Sequence, residues 1–277
     1  MTSLHRIGIH AGLGFHVPFQ ERIHLFHDAG FDTISLWWEE RHERARELRH
    51  LAPDMIRNTG LYIDNIHVPY YCCNDLWSED SVTRKYALDL HLSWIDDAAR
   101  HHIPIMVMHV TMGIKPSPPT STGLDSFQAL TDHAENQGVV LAIENTRSDA
   151  HVAWLLDQIP SPALGLCFDT SHSHLWGDDP LHLLSRYGSR LITTHLSDTD
   201  GKRDQHWVPG RGVVAFDQVA HQLNSLQYTG TILLEITHRE ENGDFKTFLL
   251  DARNKASEIA QSIYTQNTND EREISNG

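Results

Sequence analysis

The chemistry of this chain is concentrated at the ends of its predicted strands, where six side chains that can bind a metal ion stand. These residues are His67, His109, Glu144, Asp169, His195 and Glu235. Imidazole and carboxylate groups together suit borderline divalent ions such as zinc, manganese or iron(II), whereas oxygen ligands alone would favour magnesium or calcium. If these six residues converge, they create a site for such an ion.

Three more candidate ligands follow the strand ends. His172 lies three residues after Asp169, and Asp204 and His206 lie in the polar loop after His195. Nine ligands exceed the needs of one ion, because zinc takes about four ligands and manganese about six including water. We therefore expect one to three divalent ions, zinc or manganese. If only one ion binds, the remaining His and Asp residues would handle substrate.

A divalent ion in such a site polarises a carbonyl or ionises a bound water near neutral pH. Glu144 and Glu235 come from strands expected to lie across the cavity, so they could also exchange protons with a substrate carbon. Taken singly, each ligand has an ordinary structural interpretation, since an Asp after a strand often caps the next helix. The interpretation as a metal site depends on all nine residues meeting at one place.

Strand-like and helix-like segments alternate along the whole chain. The predicted strands cover residues 7–10, 33–38, 61–67, 103–109, 139–144, 164–169, 191–195 and 231–235. Alternating βα units with nearly continuous apolar strands are typical of a parallel sheet buried on both faces. An open doubly wound sheet is disfavoured, because no Gly-x-Gly-x-x-Gly motif follows the first strand.

We therefore predict an α/β fold with a single (β/α)8 TIM barrel in residues 1–264 and a disordered polar tail in residues 265–277. A closed barrel places all strand ends on one face, so that ligands far apart in sequence surround one cavity. The fold prediction thus supports the metal-site interpretation.

The composition excludes several classes of protein. The chain has 277 residues, 40% apolar residues and a formal net charge of -15, which argues against broad affinity for nucleic acids or anionic membranes. No apolar run is long enough to span a bilayer, no secretory leader is evident, and three cysteines do not make a disulfide framework. We expect a cytoplasmic protein with a small-molecule substrate, and homo-oligomerisation is compatible with the sequence.

Aromatic and basic residues near the strand ends are candidates for substrate contacts. Trp37 and Tyr70 would form a substrate wall or pack the barrel mouth, while Lys202, Arg203 and Arg211 would meet a phosphate or a sugar hydroxyl unless they only solvate their loop. Surface or supporting roles are expected for four other histidines near strand ends, His10, His16, His174 and His238.

These motifs resemble those of the xylose isomerase-like barrel superfamily, which includes sugar phosphate isomerases and epimerases and also endonuclease IV. The resemblance covers residues 5–264 and implies a (β/α)8 barrel. Its motifs are His67-Val68-Pro69-Tyr70, His109, Glu144-Asn145-Thr146, Asp169-Thr170-Ser171-His172, His195-Leu196-Ser197-Asp198, Asp204-Gln205-His206 and Glu235.

In the epimerase-like branch, the resemblance implies one divalent ion held by Glu144, Asp169, His195 and Glu235. The two glutamates would then act as acid and base, and His172 would contact sugar oxygens. The segment 198–212 is similar to the seventh loop of many barrels described as sugar phosphate isomerases or epimerases.

In endonuclease IV, the nine matching positions all bind a cluster of three zinc ions. The resemblance would assign the ions to three groups: His67, His109 and Glu144; Glu144, Asp169, His195 and Glu235; and His172, Asp204 and His206. Two departures argue against DNA binding, because segment 37–40 is acidic where that family has a polar and basic DNA-reading loop, and segment 173–177 lacks its alanine-glycine-tyrosine stretch.

From these features we predict a metal-dependent sugar or sugar phosphate isomerase or epimerase that transfers a proton next to a carbonyl through an enediolate. The alternative is an endonuclease IV-like abasic-site endonuclease with a trinuclear zinc site that hydrolyses phosphodiesters. A dehydratase also stays open, because proton abstraction on the same scaffold leads to elimination as readily as to epimerisation.

Overall fold

A computed structural model describes the chain except residues 1–4, 13, 15–16, 39–40, 42, 240–243 and 276–277, and it describes no side chains in 43–46 and 264–275. Eight parallel strands form a single sheet in the order β7-β6-β5-β4-β3-β2-β1-β8. The strands are β1 (Ile7–His10), β2 (Thr33–Trp37), β3 (Tyr62–His67), β4 (Ile105–His109), β5 (Val140–Glu144), β6 (Leu164–Asp169), β7 (Leu191–His195) and β8 (Ile232–Leu234).

The sheet closes between β7 and β8. The amide of Leu196 donates to the carbonyl of Leu233 at 2.8 Å, and the amide of Glu235 donates to the carbonyl of Leu196 at 3.2 Å. These bonds join the last strand to its neighbour just beyond the strand ends. The predicted (β/α)8 barrel is confirmed.

Helices cover the outside of the barrel. They are α1 (Phe19–Asp28), α2 (Glu43–Arg57), α3 (Ser81–Arg100), α4 (Ser121–Gln137), α5 (Asp149–Gln158), α6 (Thr170–Trp176), α7 (His182–Tyr187), α8 (Phe216–Ser225) and α9 (Phe245–Ser275). Short 3-10 turns at Cys73–Trp77 and Gly188–Arg190 precede α3 and β7. None of the described helices combines the length and the apolar composition needed to cross a bilayer.

The two-residue period of a strand decides which side chains face into the barrel. The small residues Val107, Ala142 and Cys167 form one buried cluster inside it, separate from the larger apolar layer between strands and helices. His109, Glu144 and Asp169 follow each of them by two residues and therefore project to the same side, one layer nearer the carboxyl ends. The barrel interior thus consists of a small-residue layer below a layer of potential ligands.

The end of the chain differs from the predicted boundary. Helix α9 continues through residues 265–275, where the sequence analysis places a disordered tail. Among the described side chains of this helix, Phe248, Leu249 and Ile263 are buried against the barrel. Separation of residues 265–277 from the barrel stays a prediction.

Candidate metal centre and active site

The carboxyl ends of the strands surround a cavity of about 390 Å³. A volume of about 300–1,000 Å³ is typical of small-molecule sites. The residues that line this cavity are His10, Gly12, Trp37, His67, Tyr70, His109, His172, Asp204, His206 and Glu235. Six of the nine predicted ligands therefore face the cavity directly, and the other three lie behind its wall.

The structure brings all nine predicted ligands together. Their side-chain ligand atoms form groups in which every pair lies within 4.8 Å. Three of these groups together contain all nine residues: His67, His109 and Glu144; Glu144, Asp169, His195 and Glu235; and His172, Asp204 and His206. Glu144 belongs to two of them, so its carboxylate lies at the centre of the constellation.

Backbone carbonyls orient three of the histidines. The Nδ1 atoms of His67, His172 and His206 lie 3.1, 3.0 and 2.9 Å from the carbonyl oxygens of Val68, Asn145 and Glu235. A ring that donates its Nδ1 proton to a carbonyl holds the other nitrogen, Nε2, free of hydrogen as an acceptor or metal ligand. This arrangement is the usual support for metal-binding histidines.

Several buried ligand atoms have no hydrogen-bond partner among the described residues. These atoms are Glu144 Oε1, Asp169 Oδ2, Glu235 Oε2 and both ring nitrogens of His195. His195 Nδ1 approaches Glu235 Oε2 to 3.0 Å, but the two groups are not aligned for a hydrogen bond. Because a buried polar atom without a partner is costly, atoms that converge without bonding to one another fit a cation between them.

The charges of the two glutamates follow from their neighbours. Burial raises the pKa of Glu144, but His109 and His195 outweigh it and hold that pKa well below its usual range. Burial also raises the pKa of Glu235, but the charge of His195 outweighs it and holds this pKa well below its usual range. Both carboxylates are therefore ionised near neutral pH, the form that binds a cation or accepts a proton.

Protons are held tightly at His206, in the outer group of His172, Asp204 and His206, and at Asp169, in the inner group of four residues. Burial lowers the pKa of His206, but its hydrogen bond to Asp204 and the charges of Glu235 and Asp204 raise it to about 9. Burial raises the pKa of Asp169 to about 7, and the nearby carboxylates of Glu144 and Glu235 act in the same direction. A metal ion must displace these protons to use the same atoms.

Local backbone contacts fix the loops that carry the ligands. The Asn145 side chain accepts from the amide of Asp169 at 2.7 Å and donates to the carbonyl of Asp169 at 3.0 Å, and Asp169 Oδ1 accepts from the amide of His172 at the start of α6. The Asp198 carboxylate accepts from the amides of Gly210 and Gly212 at 2.9 and 2.8 Å, which folds the loop after β7.

Among the predicted substrate contacts, only the aromatic residues lie at the cavity. Trp37 and Tyr70 line it with ring centroids 6.0 Å apart, and Tyr70 stacks on His109 at 5.1 Å. Trp38, by contrast, is fully buried and donates its indole N–H to Asp97 at 3.1 Å, so it packs behind the barrel mouth.

The basic residues of the loop after β7 lie elsewhere. Arg211 binds Asp251 on α9 at 2.7 Å, the Arg203 side chain is 82% exposed, and Lys202 is exposed on the same turn. None of the three lines the cavity in the described part of the chain. Glu39 and Glu40, the acidic residues after β2, lie outside the described residues, as does His16.

Two residues of the cavity wall, His10 and Gly12, were not predicted from the sequence as site residues. His10 is 1% exposed and lines the cavity, whereas a surface or supporting role was expected for it. Burial lowers the pKa of His10 to about 3, which keeps the ring neutral. The position of His10 at the end of β1 could have indicated this role, because the six strand-end ligands have the same position in their strands. His174 and His238 are half-buried and do not line the cavity in the described structure.

A family model described as xylose isomerase-like TIM barrel matches residues 23–263. The chain belongs to this family. Its members share the barrel predicted from the strand pattern, and the match begins within α1 and ends within α9. The superfamily resemblance drawn from the strand-end motifs is thereby confirmed.

Individual relatives within the xylose isomerase-like family are distant. Fructoselysine 3-epimerase of Shigella flexneri is 23% identical over 233 residues, which are 77% of this chain and 84% of that protein. An uncharacterised protein of Sinorhizobium fredii is 29% identical over 109 residues, and the chain covers only 35% of its length.

Solved structures of the family share the fold at low sequence identity. A structure of L-ribulose 3-epimerase has a TM-score of 0.77 and 17% identity, and the match covers 96% of this chain and 97% of that one. D-psicose 3-epimerase from Clostridium cellulolyticum H10, solved with D-tagatose, has a TM-score of 0.74 and 14% identity, with 93% of this chain and 99% of that one covered. At such identities the likeness shows the common barrel alone.

Proposed function

We propose that this chain is a metal-dependent sugar isomerase or epimerase that moves a proton on a carbon next to a carbonyl. The observation that carries the proposal is the group of Glu144, Asp169, His195 and Glu235, whose ligand atoms lie within 4.8 Å of one another beside a cavity of small-molecule size. The 3-epimerase names of a relative and of structural neighbours support the same class of reaction.

A single divalent ion, manganese or zinc, would be held by these four residues, and it would supply positive charge to two adjacent oxygens of the sugar. Glu235 lines the cavity and is ionised, so it is placed to remove a proton from the substrate carbon. Glu144 lies directly behind the wall and would return a proton from the other side. His172, whose ring also lines the cavity, would hold a sugar oxygen.

The chemistry of the wall favours a free sugar over a sugar phosphate. No Lys or Arg lines the cavity among the described residues, whereas phosphate sites usually offer such charges. Trp37 and Tyr70 instead offer ring surfaces, which suit the C–H faces of a sugar. We therefore propose an unphosphorylated ketose as the substrate. Lys202, Arg203 and Arg211 have no substrate contacts in this proposal.

One observation favours a second candidate, a phosphodiesterase of the endonuclease IV type. The groups His67, His109, Glu144 and His172, Asp204, His206 are as compact as the four-residue group, so three ions could be accommodated. The wall of the cavity and the net charge of -15 are unfavourable for DNA. The epimerase proposal therefore comes first.

The decisive experiment follows solvent deuterium into ketoses. The metal-loaded protein is incubated with D-fructose, D-tagatose and D-psicose in heavy water, and products are analysed for new epimers and for deuterium at the reacting carbon. We expect exchange with one manganese or zinc ion per chain. At metal occupancy matched to wild type, Glu235→Gln should lower the exchange rate by about 100- to 10,000-fold, since general acid–base groups contribute about that much.

Glu258→Gln is the matched control, because this carboxylate is 62% exposed on α9, pairs with Lys255 and does not line the cavity. Nicking of a duplex with an abasic site, together with about three zinc ions per chain, would favour the nuclease instead. Absence of both deuterium exchange and nicking with the fully loaded protein would contradict the proposed function.

A further inference from the structure

His10 is a buried imidazole at the edge of the cavity. It is the last residue of β1, it is 1% exposed, and it lines the cavity together with Glu235 from β8 and Trp37 from β2. Its ring centroid lies 5.5 Å from that of His67 and 6.4 Å from that of His195. The ring therefore forms the part of the wall at the end of β1, beside His67 and His195.

Neither ring nitrogen of His10 has a hydrogen-bond partner among the described residues. His10 also belongs to none of the described groups of potential metal ligands, although His67 and His195 beside it belong to several. A buried polar group without a partner is costly, and proteins seldom keep one unless a ligand or water completes it. The folded chain thus leaves the hydrogen-bonding capacity of this ring unused.

The chain also holds the ring in one place. A Cβ atom at Gly12 would lie 2.8 Å from Cε1 of His10 and 3.0 Å from Cβ of Trp37, so a side chain at residue 12 would displace the ring. The edge of Trp37 approaches at an interplanar angle of 84° and that of His67 at 68°. These contacts confine the imidazole before any substrate arrives.

We propose that His10 determines substrate specificity by forming a hydrogen bond with one hydroxyl group of the bound sugar. This inference rests on the proposed function and adds a subsite to it. A neutral imidazole has one donor and one acceptor nitrogen, and a hydroxyl group can both donate and accept, so the two are complementary. A confined donor or acceptor discriminates strongly against an analogue that lacks the matching hydroxyl.

The test measures binding of D-tagatose and a set of its monodeoxy analogues to the metal-loaded protein by titration calorimetry. We expect His10→Phe to weaken binding of D-tagatose at least about tenfold, equal to about 1.4 kcal/mol, with the metal content per chain unchanged. His10→Gln, which retains a donor and an acceptor, should recover most of the affinity. For one deoxy analogue, the wild-type protein and His10→Phe should bind equally.

His91→Phe is the matched control, because His91 is also a buried histidine with a free Nε2 but lies on α3, and it should leave sugar binding unchanged. Thermal unfolding of each variant identifies any loss of fold. If His10→Phe does not fold, D-tagatose binding by His10→Gln is compared with that of wild type. Equal binding of D-tagatose by wild type and His10→Phe overturns this inference alone, as does a loss of metal from His10→Phe. A wild-type protein that binds no ketose overturns the proposed function and this inference with it.

Discussion

The two ends of the barrel interior both contain polar side chains, but only one end satisfies them internally. Towards the amino ends of the strands, Asp64 accepts from Asn65 Nδ2 at 2.8 Å and from the hydroxyls of Thr193 and Thr231. Tyr228 closes this network by donating to the carbonyl of Thr231 at 2.9 Å. At the carboxyl ends, buried atoms of Glu144, Asp169, Glu235, His195 and His10 lack such partners among the described residues.

The polar groups at the amino end thus stabilise the fold, whereas those at the carboxyl end are available to bind a ligand. Asp64 is the extra residue of a bulge, because Ile34 pairs with Ile63 and Ser35 with Asn65, and the bulge turns its carboxylate towards the hydroxyls. Around the strand-end ligands this completion is partial among the described residues, because Glu144 Oε2 and Asp169 Oδ1 have partners, whereas Glu144 Oε1 and Asp169 Oδ2 have none. Satisfied polar groups rigidify a core, whereas unsatisfied ones destabilise it until a ligand binds.

Metal loading should therefore have the largest effect on stability. At an ion concentration about a thousand times the dissociation constant, the free energy of unfolding should rise by about 4 kcal/mol over that of the chelated protein. Thermal unfolding with manganese or zinc, and with excess chelator, measures this. Glu144→Gln should lose most of the increase because Glu144 belongs to two ligand groups, whereas Glu258→Gln should keep it. An equal increase in Glu144→Gln would contradict the assignment.

The pH dependence of metal affinity should be the next largest effect. Because the pKa of His206 is raised to about 9, an ion that uses this ring must displace its proton, and its affinity should fall about tenfold per pH unit below that value. In the metal-free protein the same proton stabilises the fold below about pH 6.5, and that contribution is lost as the pH rises through 9. Competition with a chelator at several pH values measures the slope.

His206→Asn is the control for that slope, since the variant has no imidazole proton to displace. An ion bound only by the inner four residues would not need His206. The single-ion proposal therefore expects the same slope in wild type and variant. A steeper slope in wild type would show that a further ion uses the outer group.

At the amino end, Asp64→Ala should affect stability alone. The hydroxyls of Thr193 and Thr231 and the amide of Asn65 would lose their acceptor, at a cost of about 1–3 kcal/mol. Denaturant unfolding measures the loss, and metal content and activity should not change. Asp89→Ala is the control, because its ion pair with Lys85 is exposed and should contribute less than about 1 kcal/mol. A loss of metal in Asp64→Ala would show that the two ends are coupled.

The sequence was sufficient for the fold and for the meeting of the nine ligands. Strand ends such as His109 and Glu144 are visible as the last residues of apolar runs, and closure of the barrel then places them on one face whatever their separation in sequence. The same rule applies to His10 at the end of β1, although it was grouped with three histidines for which surface or supporting roles were expected. Metal binding by these residues stays a prediction.

The contacts of the loops could not be obtained in this way. Arg211 lies close in sequence to Asp204 and His206, but its guanidinium turns outward to Asp251 because α9 offers a carboxylate there. The partners of loop side chains come from distant parts of the chain, so the local sequence does not specify them. The missing internal partners of His10 and His195 are likewise a property of the folded surroundings.

Asn145 connects three parts of the cavity wall through hydrogen bonds to Asp169 and His172. Its side chain binds both the amide and the carbonyl of Asp169, and its own carbonyl accepts from the ring of His172. The tips of β5 and β6 and the first turn of α6 are thereby held as one rigid unit. Under the proposed function, sugars of different size would be accommodated on the aromatic side of the cavity, where the rings of Trp37 and Tyr70 contact each other at 6.0 Å.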